Sequence, residues 1–275
     1  MGDLYALDFD GVLCDSCGES YATAAKAAKV IWPTLFNDVD SSLEDWVVDQ
    51  IRIVRPVLQN WYDNLLLVRL LLEMRLPSIR KSSVAEGLTV EGIVENWSGL
   101  SNLILKEWGE DKDALVKLYF QVRDEWKVQD LKTWIGTNRS GFGCRLYPGV
   151  ADALKSATSI IYIVTGKQSP FAEVILQEFA KDTIPPERIF GVARCSHKIE
   201  ILKQLQEKAE HQGLKLHFVE DRLATLKEAI TEPELDGWNL YLSGWGYNTQ
   251  KEKDEAATIP RIQILQLSDF NTKLK

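Results

Sequence analysis

The sequence predicts an α/β chain, a doubly wound parallel sheet into which an all-helical segment is inserted. Three observations carry this expectation. An apolar run, Leu4 to Leu7, begins almost at once and ends in two aspartates. From about residue 145 to 275, short apolar runs alternate with amphipathic stretches, the pattern of parallel strands joined by crossover helices. Between these regions, residues 17–144 carry helix signals alone. The expected division is residues 1–16 with 145–275 for the sheet, and 17–144 for the insertion.

Taken in order, Leu4–Leu7 reads as a strand buried on both faces. Residues 19–31, rich in Ala and Lys, read as helix. Ser41 followed by Glu44 has the capping-box spacing. Pro56 suits the first turn of a helix running to about Met74. That helix contains the densest apolar stretch, Leu65 to Leu72, which is too short and too near charges to span a bilayer. Thr89 precedes a helix reaching about Trp108, and Asp111 caps another ending near Gln129. Seven of the nine tryptophans fall between Trp32 and Trp134, as in the core of a helical bundle. The run Gly136 to Gly143, rich in glycine, reads as a hinge back to the sheet.

Beyond it, Pro148-Gly149-Val150 starts a helix to about Ser156, and Ile160 to Val164 is a strand. Ser169-Pro170 opens a helix, with Ser as its cap. Arg188–Val192 reads as a short strand and 197–211 as a helix. Leu214–Val219, Trp238–Leu242 and Ile262–Leu267 complete the strands, with a helix after Val219 running to about Ile230.

Apolar residues make up 45% and charged residues 26% of 275, which is an ordinary globular composition. A net charge of −8 argues against nucleic acid and against a basic membrane-binding face. A small anionic substrate remains compatible, since local cations and a metal can dominate a cleft. With no secretory signal at the N-terminus, the expected location is cytoplasmic. Four cysteines suit a reducing compartment. Cys14 and Cys17 form a C-x-x-C that reads first as two small residues in a tight loop, with a redox pair or half a zinc site as alternatives. The oligomeric state is not legible.

The chemistry concentrates at strand ends. Asp8 and Asp10 are two residues apart in an extended segment, so both leave the same side. They point into the crevice at the carboxyl end of the strand, where open α/β sheets bind ligands. Gly11 lets the chain turn away. At the end of the Ile160–Val164 strand, Thr165-Gly166-Lys167 offers a hydroxyl and freed backbone N–H groups to a phosphate. Lys198 opens a helix, where a cation opposes the helix dipole and so needs a compensating partner or a functional purpose. Glu220 and Asp221 close another apolar strand, as paired carboxylate ligands do. Four carboxylates brought together demand a cation, and hard oxygen donors suit Mg²⁺.

These stretches resemble the haloacid dehalogenase superfamily: Asp8-Phe9-Asp10-Gly11-Val12-Leu13 its first motif, Thr165 its second, Lys198 its third, and Glu220-Asp221 its fourth. Two departures stand out. Ile199 replaces the proline that often follows the lysine. Arg222 replaces the serine of the Glu-Asp-Ser form used by the phosphoglucomutase-like branch. The resemblance implies a Rossmann-like catalytic core and a helical cap inserted after the first motif. It further implies a Mg²⁺-dependent phosphatase of a small phosphorylated metabolite, a sugar phosphate or phosphoglycolate. In that scheme Asp8 is the nucleophile and Asp10 the acid and base. Thr165, with Gly11, Gly166 and Lys167, binds the phosphoryl group, and Lys198 balances charge. Asp8, Asp10, Glu220 and Asp221 hold the metal. Dehalogenases lack an acid at the position of Asp10, because a halide leaves without a proton.

Within the insertion, Arg69 is the foremost candidate for touching substrate, being a fixed charge in an apolar helix. A pair with Glu73, one turn on, is its structural alternative. Arg52 and Arg55 are further candidates. Gly244-Trp245-Gly246-Tyr247 follows a strand end, as a rim of the site or as a tight turn. A phosphomutase and a non-catalytic binding protein that kept the fold are the competing functions.

Overall fold

Strand β1 (Asp3–Leu7) lies at the middle of the protein's main sheet, and four of its five residues are buried. The computed structural model describes residues 2–135, 143–181, 183–191 and 198–274. Further strands are β2 (Cys14–Asp15), β3 (Arg145–Leu146), β4 (Ile160–Val164), β5 (Ile189–Phe190), β6 (Lys215–Glu220), β7 (Trp238–Ser243) and β8 (Ile262–Leu265). Six of them form a parallel sheet in the order β5-β4-β1-β6-β7-β8. The chain goes from β1 to β4 on one side and reaches β6 on the other. The strand order thus reverses around β1, which makes its carboxyl end the topological switch point. The fold is α/β, a doubly wound Rossmann-like sheet with a helical insertion. The short β2–β3 pair is antiparallel and stands apart.

The chain divides into two compact units, 1–15 with 145–275 and 16–144. The second unit contains α1 (Cys17–Ile31), α2 (Ser41–Val54), α3 (Asp63–Arg75), α4 (Val90–Trp108), α5 (Lys112–Gln129) and α6 (Leu131–Trp134). Residues Leu65 to Leu72 of α3 are all buried, so this helix is the unit's centre rather than an amphipathic surface helix. Trp97, Trp126 and Trp134 are buried, and Trp32, Trp46, Trp61 and Trp108 pack at the edge of the core.

The sheet unit has α7 (Val150–Lys155), α8 (Ser169–Ala180), α9 (Lys198–Glu207), α10 (Leu223–Ile230), α11 (Gln250–Ala257) and α12 (Leu267–Lys273). One core layer packs Leu4, Ala6, Phe218, Leu240 and Leu242 of the strands against Leu202, Leu205 and Leu226 of the helices.

Several boundaries differ from the sequence expectation. α2 is capped by Asp40, whose Oδ1 accepts the Leu43 N–H at 2.8 Å, and Ser41 is already helical. Pro56 does not open α3. It lies in a single 3₁₀ turn, Arg55–Val57. The helix begins only at Asp63, whose carboxylate accepts the N–H groups of Gln59 and Asn60 and so stabilises a non-helical loop. Ser169 is the first residue of α8 rather than its cap, and its hydroxyl accepts the Gly191 N–H at 3.1 Å. α9 ends at Glu207, with a separate 3₁₀ turn at Ala209–His211. The expected hinge lies outside the described residues apart from Gly143, as do Val192 and His197.

Candidate active site

Side chains from the ends of β1, β4 and β6 and from the start of α9 converge at the switch point. Asp8, one residue beyond β1, is 5% exposed. Its Oδ1 accepts the Phe9 N–H at 2.7 Å, which fixes the carboxylate's rotation. Glu220, the last residue of β6, and Asp221 are buried as well. One oxygen from each of these three carboxylates lies within 4.8 Å of the others.

Lys198 bridges two of them. Its Nζ is 2.9 Å from Asp8 Oδ2 and 2.7 Å from Glu220 Oε2. This supplies the anionic partner that a lysine at a helix start requires. Burial would depress the Lys198 ammonium, but the two carboxylates outweigh it and hold its pKa above the ordinary lysine value. Glu220 also feels burial, and the charge and hydrogen bond of Lys198 hold its pKa below the usual range.

Lys198 contacts two of the three buried carboxylates, and Asp221 has the opposing charge of Arg222 to draw on. Burial, against the pull of Lys198, pushes Asp8 up to about 6. Asp221 is driven well above the ordinary aspartate value by burial, then by the charges of Glu220 and Asp8. A divalent cation would answer this imbalance, and an all-oxygen donor set would suit Mg²⁺ rather than a thiophilic metal. The residues that would hold it are Asp8, Glu220 and Asp221.

Asp10 sits differently from the sequence expectation, which gave its carboxylate to the metal. Lys167 Nζ lies 3.2 Å and 3.3 Å from its two oxygens. The Lys167 side chain is itself buried, 5.9 Å from the centre of the Phe9 ring. Asp10 therefore faces a cation on the β4 side of the site. Thr165 is buried at the end of β4, where its hydroxyl accepts the Lys167 N–H at 3.0 Å and keeps its own proton to donate. Gly166 is exposed.

Two glycines make room for Asp221. Gly11 has φ +82°, a backbone conformation that favours glycine, and a methyl there would overlap the Asp221 carboxylate. A methyl on Gly246 would come within 2.5 Å of the Gly11 carbonyl oxygen and 2.6 Å of Asp221 Cβ.

The loop after β7 proves to be the strap of the site. Ser243 Oγ donates to the Gly11 carbonyl at 3.1 Å and Trp245 Nε1 to the Val12 carbonyl at 3.0 Å. Tyr247 N–H donates to Asp221 Oδ2 at 3.2 Å, and its hydroxyl to Asp15 at 2.9 Å. Asn248 Nδ2 donates to the Asp221 and Ser243 carbonyls at 3.0 Å and 2.9 Å. Sequence reasoning noticed the Gly-Trp-Gly-Tyr run but missed Ser243 and Asn248. The legible signal was the hydroxyl at the end of an apolar strand.

Arg69 belongs to the helical unit, where its Nε donates to Glu73 Oε1 at 2.9 Å, the pairing that helical spacing offered. Among the described residues, no helix is long and apolar enough to cross a membrane.

Solved structures that share this fold include proteins described as phosphatases and as haloacid dehalogenase-like hydrolases. A candidate phosphatase from Clostridium difficile matches with a TM-score of 0.55 at 15% identity, over 100% of this chain and 99% of that one. A haloacid dehalogenase-like family hydrolase from Streptococcus pneumoniae matches at 0.53 and 14%, over 99% and 97%. A predicted phosphoglycolate phosphatase from Haemophilus somnus matches at 0.52 and 16%, over 90% and 88%. No family model matches the sequence, and no curated protein does.

Proposed function

We propose that this chain is a Mg²⁺-dependent phosphatase of a small phosphorylated metabolite, working through an aspartyl-phosphate on Asp8. The observation that carries the reading is Lys198 held between Asp8 and Glu220, inside a buried acidic cluster at the switch point. An isolated structural ion pair would not need a third carboxylate at its side.

Asp8 attacks phosphorus with the oxygen that Lys198 contacts, and the bond to the leaving alcohol breaks. Lys198 offsets the repulsion between the carboxylate and the incoming phosphate anion. Asp10 gives a proton to the departing alkoxide, then takes one from the water that hydrolyses the phosphoenzyme. The Thr165 hydroxyl and nearby backbone amides hold phosphoryl oxygens, and Lys167 keeps Asp10 in place. A bound Mg²⁺ supplies charge neutralisation for the phosphoryl group during transfer. The helical unit, inserted directly after the first motif, is read as the cap that sets specificity for a small substrate such as a sugar phosphate or phosphoglycolate.

A panel of phosphate esters, assayed for released phosphate with and without Mg²⁺, tests this reading. Turnover that needs Mg²⁺ and disappears in Asp8→Asn supports it. Metal-independent turnover, or activity retained in Asp8→Asn, overturns it. The adjacent Glu220-Asp221 pair, matching the phosphoglucomutase-like form, supports a phosphomutase as the second reading. Isomerised sugar phosphate without free phosphate would select it.

A further inference from the structure

The helical unit contains a cavity of about 490 Å³, formed by the end of α1, the turn after it, α3 and the loop following α3. We propose that this cavity binds a small organic oxyanion, a carboxylate or phosphate ester on a planar or apolar body. This goes beyond the phosphatase reading and does not depend on it.

Arg69 carries the argument. It is 6% exposed and lines the cavity. Its guanidinium carbon lies 3.8 Å from the centre of the Trp108 ring and 4.6 Å from that of Trp32. These rings and the Nε bond to Glu73 hold the group in one orientation. Only Nε is used in that bond. Among the described residues, the two terminal amino groups donate to no protein acceptor. Neither amino group is among the chain's fully buried unpartnered atoms, so both keep access to solvent beside the cavity that Arg69 lines. The unfilled end of a guanidinium matches two oxygens of a carboxylate or phosphate.

The loop after α3 brings more positive charge to the same cavity. Buried Glu73 accepts the backbone N–H groups of Lys81 and Ser82 at 3.1 Å and 2.7 Å, which ties this loop beside Arg69. Arg80 is anchored through Nε to the Glu73 carbonyl at 3.1 Å, with Nη1 3.7 Å from exposed Glu86. Lys81 is exposed and its ammonium meets no acid among the described residues. Asp38 is the one acid among the lining residues, against Arg69, Arg80 and Lys81. Glu73 offsets Arg69 in formal charge, yet it leaves that residue's terminal donors unfilled. The Trp32 ring with Ile31 and Ile79 supplies an apolar wall, and the volume suits a small molecule.

The Glu73 pairing and a ligand-binding role for Arg69 are compatible, on different edges of one guanidinium.

The test uses the full chain and reads the indole N–H signals of Trp32 and Trp108 by NMR, assigned through Trp→Phe variants. Benzoate and phenyl phosphate serve as probes, one for each oxyanion. Saturable shifts of both signals with either probe are expected, and the probe that binds identifies the oxyanion. Lys81→Glu, an exposed change, should weaken binding by roughly tenfold or more, as the loss of a charge-assisted contact does. Arg69→Met should remove it. Unmoved indole signals with both probes, or equal affinity in Lys81→Glu, overturn the proposal. Because turnover is not the readout, failure of the phosphatase reading leaves this result standing.

Discussion

Lys167 and Asp10 lie 157 residues apart in the chain, yet the Lys167 ammonium sits 3.2 Å and 3.3 Å from the two Asp10 oxygens. A lysine buried at the end of β4 thus holds the carboxylate that follows β1. In the proposed mechanism Asp10 must reach the leaving oxygen and later a water. A misplaced acid loses most of its value, because proton transfer needs hydrogen-bond geometry. We predict that Lys167→Met lowers kcat by roughly 10–100-fold, less than the ~10²–10⁴-fold that loss of the acid itself would cost. The loss should grow with the pKa of the leaving alcohol, since aryl phosphates need little protonation. A loss equal across alkyl and aryl phosphates would remove Lys167 from the proton-transfer step.

The acidic cluster predicts a stabilising response to Mg²⁺. Asp8, Glu220 and Asp221 lie together while Lys198 contacts only the first two, so a cation that binds the native state relieves repulsion the unfolded chain does not feel. At about 100 times its dissociation constant, such a ligand adds about 2.7 kcal/mol. The melting temperature should therefore rise with Mg²⁺ in the wild type, and the rise should be lost in Asp221→Ala. Asp221→Ala should also be inactive. An equal Mg²⁺ response in that variant would place the ion elsewhere.

Gly246 offers a steric test of the strap. A methyl at this position meets the backbone carbonyl of Gly11 and the Asp221 side chain. Neither can retreat freely, because the Gly11 carbonyl also accepts the Ser243 hydroxyl and Asp221 accepts the Tyr247 N–H. Gly246→Ala is expected to cost about 1–3 kcal/mol as overpacking, with activity falling further than stability. Thermal melts beside turnover separate the two effects. Wild-type values for both would show that the loop adjusts at little cost.

Much of this architecture is legible in the residues themselves. Strands buried on both faces read as apolar runs, so β1, β4, β6 and β7 announce themselves, and the acids at their ends stand out against that background. The long α4 and α5 carry side-chain caps at Thr89 and Asp111, which are local signals. What stayed hidden depends on distant partners. Asp63 delays α3 through the amides of Gln59 and Asn60, a competition that helix propensity does not include. The Lys167–Asp10 contact and the hold of Asn248 on the Asp221 carbonyl arise only once the strands are in register. Spacing along the chain does not encode them.

The helical unit has a buried ion pair whose loss should be severe. Arg123 Nε and Nη2 donate to the two Glu19 oxygens at 2.8 Å and 3.2 Å, and Glu19 also accepts from Thr23 and Trp134. Removing one partner strands the other charge in the core, at a cost of about 3–5 kcal/mol. Glu19→Ala is therefore expected to lower the denaturation midpoint sharply. The double variant Glu19→Leu/Arg123→Met should recover much of the loss, because no uncompensated charge remains. Failure of the double variant to recover would mean that the network's hydrogen bonds matter more than its charges.

His217 sets a pH dependence whose sign follows from its surroundings. It stacks between Tyr5 and Tyr241, at centroid distances of 4.4 Å and 5.9 Å, with Nε2 2.9 Å from Asp3 Oδ1. Burial lowers its pKa below the ordinary value of 6.5; Asp3 pulls the other way, while Lys273 and Lys215 add to the lowering. The native state therefore binds this proton less readily than the unfolded chain. The His217 contribution to stability is intact above pH 6.5 and falls as pH drops from there through the lower native pKa. We predict that His217→Gln, measured by denaturant unfolding between about pH 8 and pH 5, loses less stability on acidification than the wild type. A steeper decline in the variant would mean that the Asp3 contact outweighs burial and that the native histidine prefers its proton.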